Sequence, residues 1–160
     1  YLEIRLRKQT FDDVRKYVHD NLVSSSAILW GLFTKDEHRL IGTIRLHDIS
    51  RYYYTAYMGI CVFSKAFYGR GLALEAVTNV TEYAFKKLEL FAILAPVYAE
   101  NDKSIKLFSR ADFTVESDIK GRFRYDDHFT DGIIFCKKSS YFNQNKLRRT
   151  ENKEPSDHVK

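Results

Sequence analysis

A chain of 160 residues with 44% apolar content can build one domain around a core, so disorder is not the default. No run of about 18 apolar residues exists, which excludes a spanning helix, and no charged-apolar-small leader opens the sequence; the chain reads as soluble and cytoplasmic, with no membrane partner. The net charge of +5 mildly favours anionic ligands, but no basic stripe or nucleic-acid motif accompanies it, so nucleic acid is not expected.

The sequence starts at Tyr1 rather than at a methionine, and residues upstream of it are expected. Leu2-Glu3-Ile4-Arg5-Leu6 alternates apolar and charged residues as a half-exposed strand does. Thr10 with Asp13 has the capping-box pattern, opening a helix from Phe11 to about Leu22 whose Val14, Tyr17, Val18 and Leu22 share one face. Ser24-Ser25-Ser26 ends it. Ala27 to Thr34 and Leu40 to Asp48 read as an antiparallel pair across the polar connection from Lys35 to Arg39. Tyr53 to Phe63 is the next strand, in which Gly59 marks a bulge or a close ligand approach.

That strand ends in the apolar run Ile60-Cys61-Val62-Phe63, and Gly69-Arg70-Gly71 then leads into a helix. Glycines let the backbone approach a ligand, and the first amides of a helix lack internal partners and can face an anion. Two glycines alone fit an ordinary strand-to-helix connection as well as a phosphate site. The helix buries Ala73, Ala76, Val77, Val80, Ala84 and Leu88, with Lys86 and Lys87 complementing its dipole at the last turn. Phe91 to Ala99 reads as a covered strand with a ladder gap at Pro96, and Asn101 or Asp102 caps a helix to about Arg110. Phe113 to Ser117 and Ile133 to Lys137 form the last strand pair, joined by a polar loop from Gly121 to Asp131. Residues 139–160 carry few large apolar residues and more basic than acidic ones, and read as a mobile tail after a domain spanning 1–138. Cys61 and Cys136 lie in strand-like runs and read as small core residues, and the histidines lack metal-ligand spacing, so no metal is expected.

The segment from Ala66 to Ala76, followed by a helix, an apolar strand and Asn101-Asp102-Lys103-Ser104, resembles the GNAT acetyltransferases. The resemblance covers most of residues 1–138 and is closest to the branch of ribosomal-protein N-terminal acetyltransferases, with its aromatic-Gly-Lys/Arg-Gly-x-Ala-x-Glu-Ala segment and later Asn-x-x-Ser. Tyr68 stands at the first position of the superfamily's Gln/Arg-x-x-Gly-x-Gly/Ala signature, a departure usual in this branch. The resemblance implies an α/β (α+β) fold with a mixed, mainly antiparallel sheet, helices on both faces and a splayed central strand pair. It implies acetyl-CoA as co-substrate, its pyrophosphate on Tyr68, Gly69, Arg70, Gly71, Leu72 and Ala73. Its acetyl carbonyl would meet a bulged strand at Gly59, Ile60, Cys61 and Val62, and Asn101, Ser104 and Phe108 would complete the contacts.

Acetyl transfer needs a neutral amine, a polarised thioester carbonyl and a proton for the departing thiolate. No carboxylate stands out as base; Glu100, Asp48 and His47 are candidates by position at strand ends. Many relatives protonate the thiolate with a tyrosine seven positions after the asparagine, which here is Phe108, so Ser104 or a water becomes the acid. Tyr52, Tyr53, Tyr54 and Tyr57 cluster before the acetyl-binding strand, where half pack as strand residues and the others can stack on a sugar or a peptide. The leading reading is direct transfer to a primary amine, whether a protein N-terminus, an amino sugar or another small amine, by a monomer or homodimer. A non-catalytic acyl-CoA-binding module is the alternative, and a general anion or nucleic-acid binder a weaker one.

Overall fold

The computed structural model describes residues 8–35, 37–125 and 127–143. Helix α1 (Phe11–Leu22) begins where Thr10 predicts: the Thr10 Oγ1 accepts from the Asp13 amide at 3.2 Å, and Asp13 Oδ2 accepts from the Thr10 amide at 2.9 Å. Its expected apolar face is not buried. Val14, Tyr17, Val18 and Leu22 are 40–76% exposed, while Asn21 is buried, its Nδ2 donating to the Tyr17 carbonyl. Helical period decides which residues share a stripe; whether a neighbour covers the stripe is a tertiary matter. The strand read at Leu2 to Leu6 lies outside the described residues.

The sheet contains β1 (Ile28–Phe33), β2 (Leu40–Ser50), β3 (Thr55–Val62), β4 (Ala92–Tyr98), β5 (Thr114–Tyr125) and β6 (His128–Lys138) in the order β1-β2-β3-β4-β6-β5. Only β3 and β4 run parallel, and they pair only from Thr55↔Ala92 to Tyr57↔Leu94 before diverging. The sheet is therefore mixed, mainly antiparallel and splayed at its centre. Pairing with β2 is regular through Arg45↔Gly59, so Gly59 is no bulge; the extra residue lies in β2 between His47 and Ser50, where Asp48 has φ 50°. Divergence from β4, rather than a bulge, leaves β3 without a partner on that side. The ladder gap expected at Pro96 lies on the β3 side, beyond the last pair at Tyr57↔Leu94, while on the β6 side pairing continues through Pro96↔Ile134 to Tyr98↔Gly132. Tyr53 and Tyr54 belong to the turn before β3, Tyr54 at φ 55°.

Alternation along β2 and β3 sends Ile44, Leu46 and Met58 to one face, where they are buried with Val77, Val80 and Ala84 of helix α2 (Leu72–Lys86). Each of these side chains other than Ala84 contributes about 1.5–3 kcal/mol. Helix α3 (Asp102–Arg110) follows β4 and closes this core with Phe108, alongside Phe113 and Phe135. The opposite face of β2 and β3 presents Thr43, Arg45, His47, Tyr57, Gly59 and Cys61.

The expected polar loop from Gly121 to Asp131 is mostly strand. β5 and β6 extend to Tyr125 and from His128, with a register shift between Ile119 and Phe123. Asp131 holds that irregularity, accepting from Lys120 Nζ at 2.6 Å and from the Gly121 amide at 3.0 Å; these bonds hold its carboxyl below the usual carboxylate range. β5 is an edge strand in the described sheet, and its outward polar residues give it a loop-like composition.

The start of the expected tail docks. Phe142 packs edge-on against Tyr54 and Phe91, with centroids 5.1 and 5.3 Å away, and Lys86 Nζ lies 5.2 Å from the Tyr141 ring centre. Residues 144–160 lie outside the described residues. At about 0.5–1.5 kcal/mol per aromatic pair, Phe142→Ala should lower stability by about 1–3 kcal/mol in denaturant melts. Unchanged stability would show that this contact holds nothing. No helix among the described residues is long and apolar enough to cross a membrane.

Candidate functional site

After β3, Ser64 caps a short turn at Lys65–Phe67, its Oγ accepting from the Ala66 amide. Tyr68 donates its hydroxyl to the Val62 carbonyl at 3.3 Å, tying the turn back to the strand end. Gly69 and Gly71 then take φ 75° and 80°, values that side chains with a Cβ rarely adopt. Gly71 is the N-cap of α2, and no side chain caps the helix there. The Glu75 amide is the first to bond back, to the Gly71 carbonyl, so the amides of Leu72, Ala73 and Leu74 keep their donor capacity for an anion. A Cβ at Gly69 or Gly71 would meet nothing within 4 Å. The positive φ, rather than crowding within the protein, demands glycine, and the space beside it is open.

This turn opens onto a cavity of about 850 Å³ between the diverging ends of β3 and β4. Of the residues expected to meet the coenzyme, Ile60, Cys61, Val62, Tyr68, Gly69, Gly71, Leu72, Ala73, Asn101, Ser104 and Phe108 all line it. Arg70 does not; its guanidinium sits 5.6 Å from the Phe67 ring centre. Asn101 caps α3, its Oδ1 accepting from the Ser104 amide at 3.2 Å. Phe108 is 3% exposed and packs on Phe113 and Phe135. Cys61 borders the cavity and is half-buried rather than a core residue, whereas Cys136 is buried. Burial pushes the Cys61 thiol above its ordinary value, which keeps it protonated and poorly nucleophilic at neutral pH.

Among the three base candidates only Glu100 lines the cavity, and its Oε1 accepts from the buried Thr130 hydroxyl at 3.2 Å. His47 bonds Asp48 at 2.9 Å and stacks on Tyr57 outside the cavity. None of Tyr52, Tyr53, Tyr54 and Tyr57 lines the cavity; Tyr52 and Tyr53 form an exposed edge-on pair. The aromatic lining comes instead from Phe67, Tyr68, Tyr98, Phe108 and Phe123, the last stacked on Tyr98 at 4.3 Å and hidden by a loop assignment for the hairpin. Lys103, Lys106 and Arg110 also line the cavity from α3, and their helical spacing was a readable signal for a basic face. Lys103 Nζ lies 4.5 Å from the Tyr68 ring centre, which sets the basic face beside the glycine turn. Among the described residues, no three His, Cys, Asp or Glu side chains are grouped to hold a metal ion.

The residue profile described as an acetyltransferase (GNAT) domain matches residues 4–114. A probable N-acetyltransferase of Bacillus subtilis, YjcK, is 40% identical over 88 residues, 54% of this chain and 48% of that protein. The alanine N-acetyltransferase of ribosomal protein uS5 from Escherichia coli is 28% identical over 110 residues, 68% of this chain and 56% of its own length. A spermidine N(1)-acetyltransferase of Escherichia coli is 27% identical over 95 residues, 59% of this chain and 50% of its own. The chain thus spans about half the length of the curated relatives it matches. The crystal structure of spermidine N-acetyltransferase from Vibrio cholerae in complex with CoA and spermine superposes with a TM-score of 0.76 at 20% identity, over 84% of this chain and 78% of that one, a likeness of fold.

Proposed function

The chain belongs to the GNAT acetyltransferases, and from that membership we propose that it moves an acetyl group from acetyl-CoA directly onto a primary amine. The observation that carries the reading is the uncapped start of α2 behind two positive-φ glycines, opening onto the gap between β3 and β4. The residues there fit the coenzyme's chemistry. Free amides at Leu72 to Leu74 suit a pyrophosphate, Lys103, Lys106 and Arg110 suit further phosphate charge, and the gap between the diverging strands suits a pantetheine arm. Bound acetyl-CoA supplies an activated acyl group and a thiol leaving group.

The chain's residues then have three tasks. The cavity-facing backbone of β3 at Gly59 to Val62 polarises the acetyl carbonyl, because splaying has removed the strand that would otherwise occupy it. Glu100, which lines the cavity and accepts from Thr130, receives the amine proton in this reading, directly or through water. A protein α-amine titrates near ~7.7–8 and needs little of this help, whereas an alkyl amine near ~10.4 needs it strongly. Ser104 supplies the proton for the thiolate, since Phe108 has none to give. A raised Cys61 pKa favours direct transfer over a thioester on the protein.

The acetyltransferase unit is assigned to residues 1–138, with Tyr141 and Phe142 docked onto it. The acceptor class is that of the ribosomal-protein N-terminal branch or of the small-amine enzymes, in a monomer or homodimer. Phe108 favours the second reading, a non-catalytic acyl-CoA module. CoA release in the presence of peptides, amino sugars or polyamines supports transfer; binding without release with every acceptor would leave only the module. Ser104→Ala should lower turnover by about 10²-fold while leaving acetyl-CoA affinity nearly intact. Full turnover in Ser104→Ala would pass the acid role to water.

A further inference from the structure

Among the described residues, Arg45 has no ion-pair partner. It lies mid-strand in β2, half-buried, with its Nε shielded from solvent and without a hydrogen-bond partner. Its guanidinium contacts the Tyr17 ring of α1 at 5.7 Å, and no carboxylate of the described residues forms an ion pair with it. Buried polar groups are nearly always satisfied, so a shielded arginine donor calls for an acceptor, whether protein, water or ligand. The planar guanidinium fits a carboxylate through two parallel bonds.

Its surroundings place that acceptor. Arg45 faces Gly59 across the β2–β3 pair, and residues facing each other on adjacent antiparallel strands have Cα atoms about 4.5–5.5 Å apart. Gly59 is exposed, and a Cβ built on it would meet nothing within 4 Å, so the space over Gly59, on the sheet face that carries Arg45, is open. Gly59 also borders the large cavity. Gly59 thus borders the cavity and faces Arg45 across the strand pair, while Arg45 itself is not among the residues lining the cavity. Asp48, the acid of β2, is bonded to His47.

We infer that Arg45 and the open floor at Gly59 form an acceptor subsite for a carboxylate, so that the preferred acceptor is an amine with an acid group only a few bonds away. This rests on the acetyltransferase reading above and deepens it. The subsite favours amino-acid-like or short peptide acceptors with a free carboxylate over neutral amines, and it opposes polyamines, whose charge repels Arg45.

The test uses the full chain with acetyl-CoA and dipeptides offered as the free acid or as the C-terminal amide, whose α-amines are alike. Spermidine, and ethanolamine against phosphoethanolamine, complete the panel. CoA release should favour the acid over the amide by about 10-fold or more, as expected for a charge-assisted bond. Arg45→Met should erase that preference while keeping the acetyl-CoA thermal shift and leaving the melting temperature equal or higher. A preference for phosphoethanolamine over the dipeptide acid would overturn the carboxylate assignment. Equal use of acid and amide, preferred use of spermidine, or a preference that survives Arg45→Met would overturn the subsite. Calorimetric binding of the acid and amide to the CoA-loaded protein separates the two readings. Selective binding of the acid that is lost in Arg45→Met, with no transfer to any acceptor, would sink the transferase and keep the subsite; equal binding of both would sink the subsite.

Discussion

Gly71→Val should fold, melt somewhat lower and lose the stabilisation that acetyl-CoA gives the native chain. At φ 80° a β-branched side chain is strained, by about 1–3 kcal/mol for a residue held in a sparsely populated backbone region. The protein itself does not crowd the position, since an added Cβ meets nothing within 4 Å. The isopropyl group instead fills the space beside the uncapped amides of α2, where a phosphate must approach. Gly71→Ala carries the backbone strain with less bulk, so it should retain part of the ligand shift. A normal acetyl-CoA shift in Gly71→Val would mean that the anion binds elsewhere.

Phe108→Ala should be the more destabilising change. Phe108 is 3% exposed, its ring 5.2 Å from that of Phe113 and 6.1 Å from that of Phe135, so its removal leaves a void beside the cavity between β3 and β4. Such truncations cost about 3–5 kcal/mol. At ~2–4 °C per kcal/mol, this is a fall of roughly 6–20 °C in melting temperature. Because the position also borders the ligand cavity, Phe108→Tyr places a hydroxyl near the leaving group and should raise turnover if protonation limits the rate. A Phe108→Ala protein with normal stability and no activity would contradict the packing role.

Local signals carried much of this fold. The Thr10–Asp13 box, the Gly69-Arg70-Gly71 turn and the Asn101/Asp102 pair each start an element within a residue of where the sequence places it, because caps and positive-φ turns depend on a few adjacent residues. Failures occurred where a neighbour decides. The α1 stripe from Val14 to Leu22 was correctly grouped but is not covered, and the hairpin from Gly121 to Asp131 looked like a loop because its edge strand presents polar residues outward. Gly59 was legible as special, but its reason is an open floor rather than a bulge, which depends on where β4 diverges. Arg45 gave no signal, since an arginine in a strand is ordinary until its partners are counted.

The central claim is that the glycine turn and the splayed strands hold acetyl-CoA. The direct test is the melting temperature of the native chain with and without saturating acetyl-CoA. At ~100 times its dissociation constant the ligand adds ~2.7 kcal/mol to the folded state. That corresponds to a rise of roughly 5–11 °C for a domain of this size. An unchanged melting temperature at saturation would contradict the account.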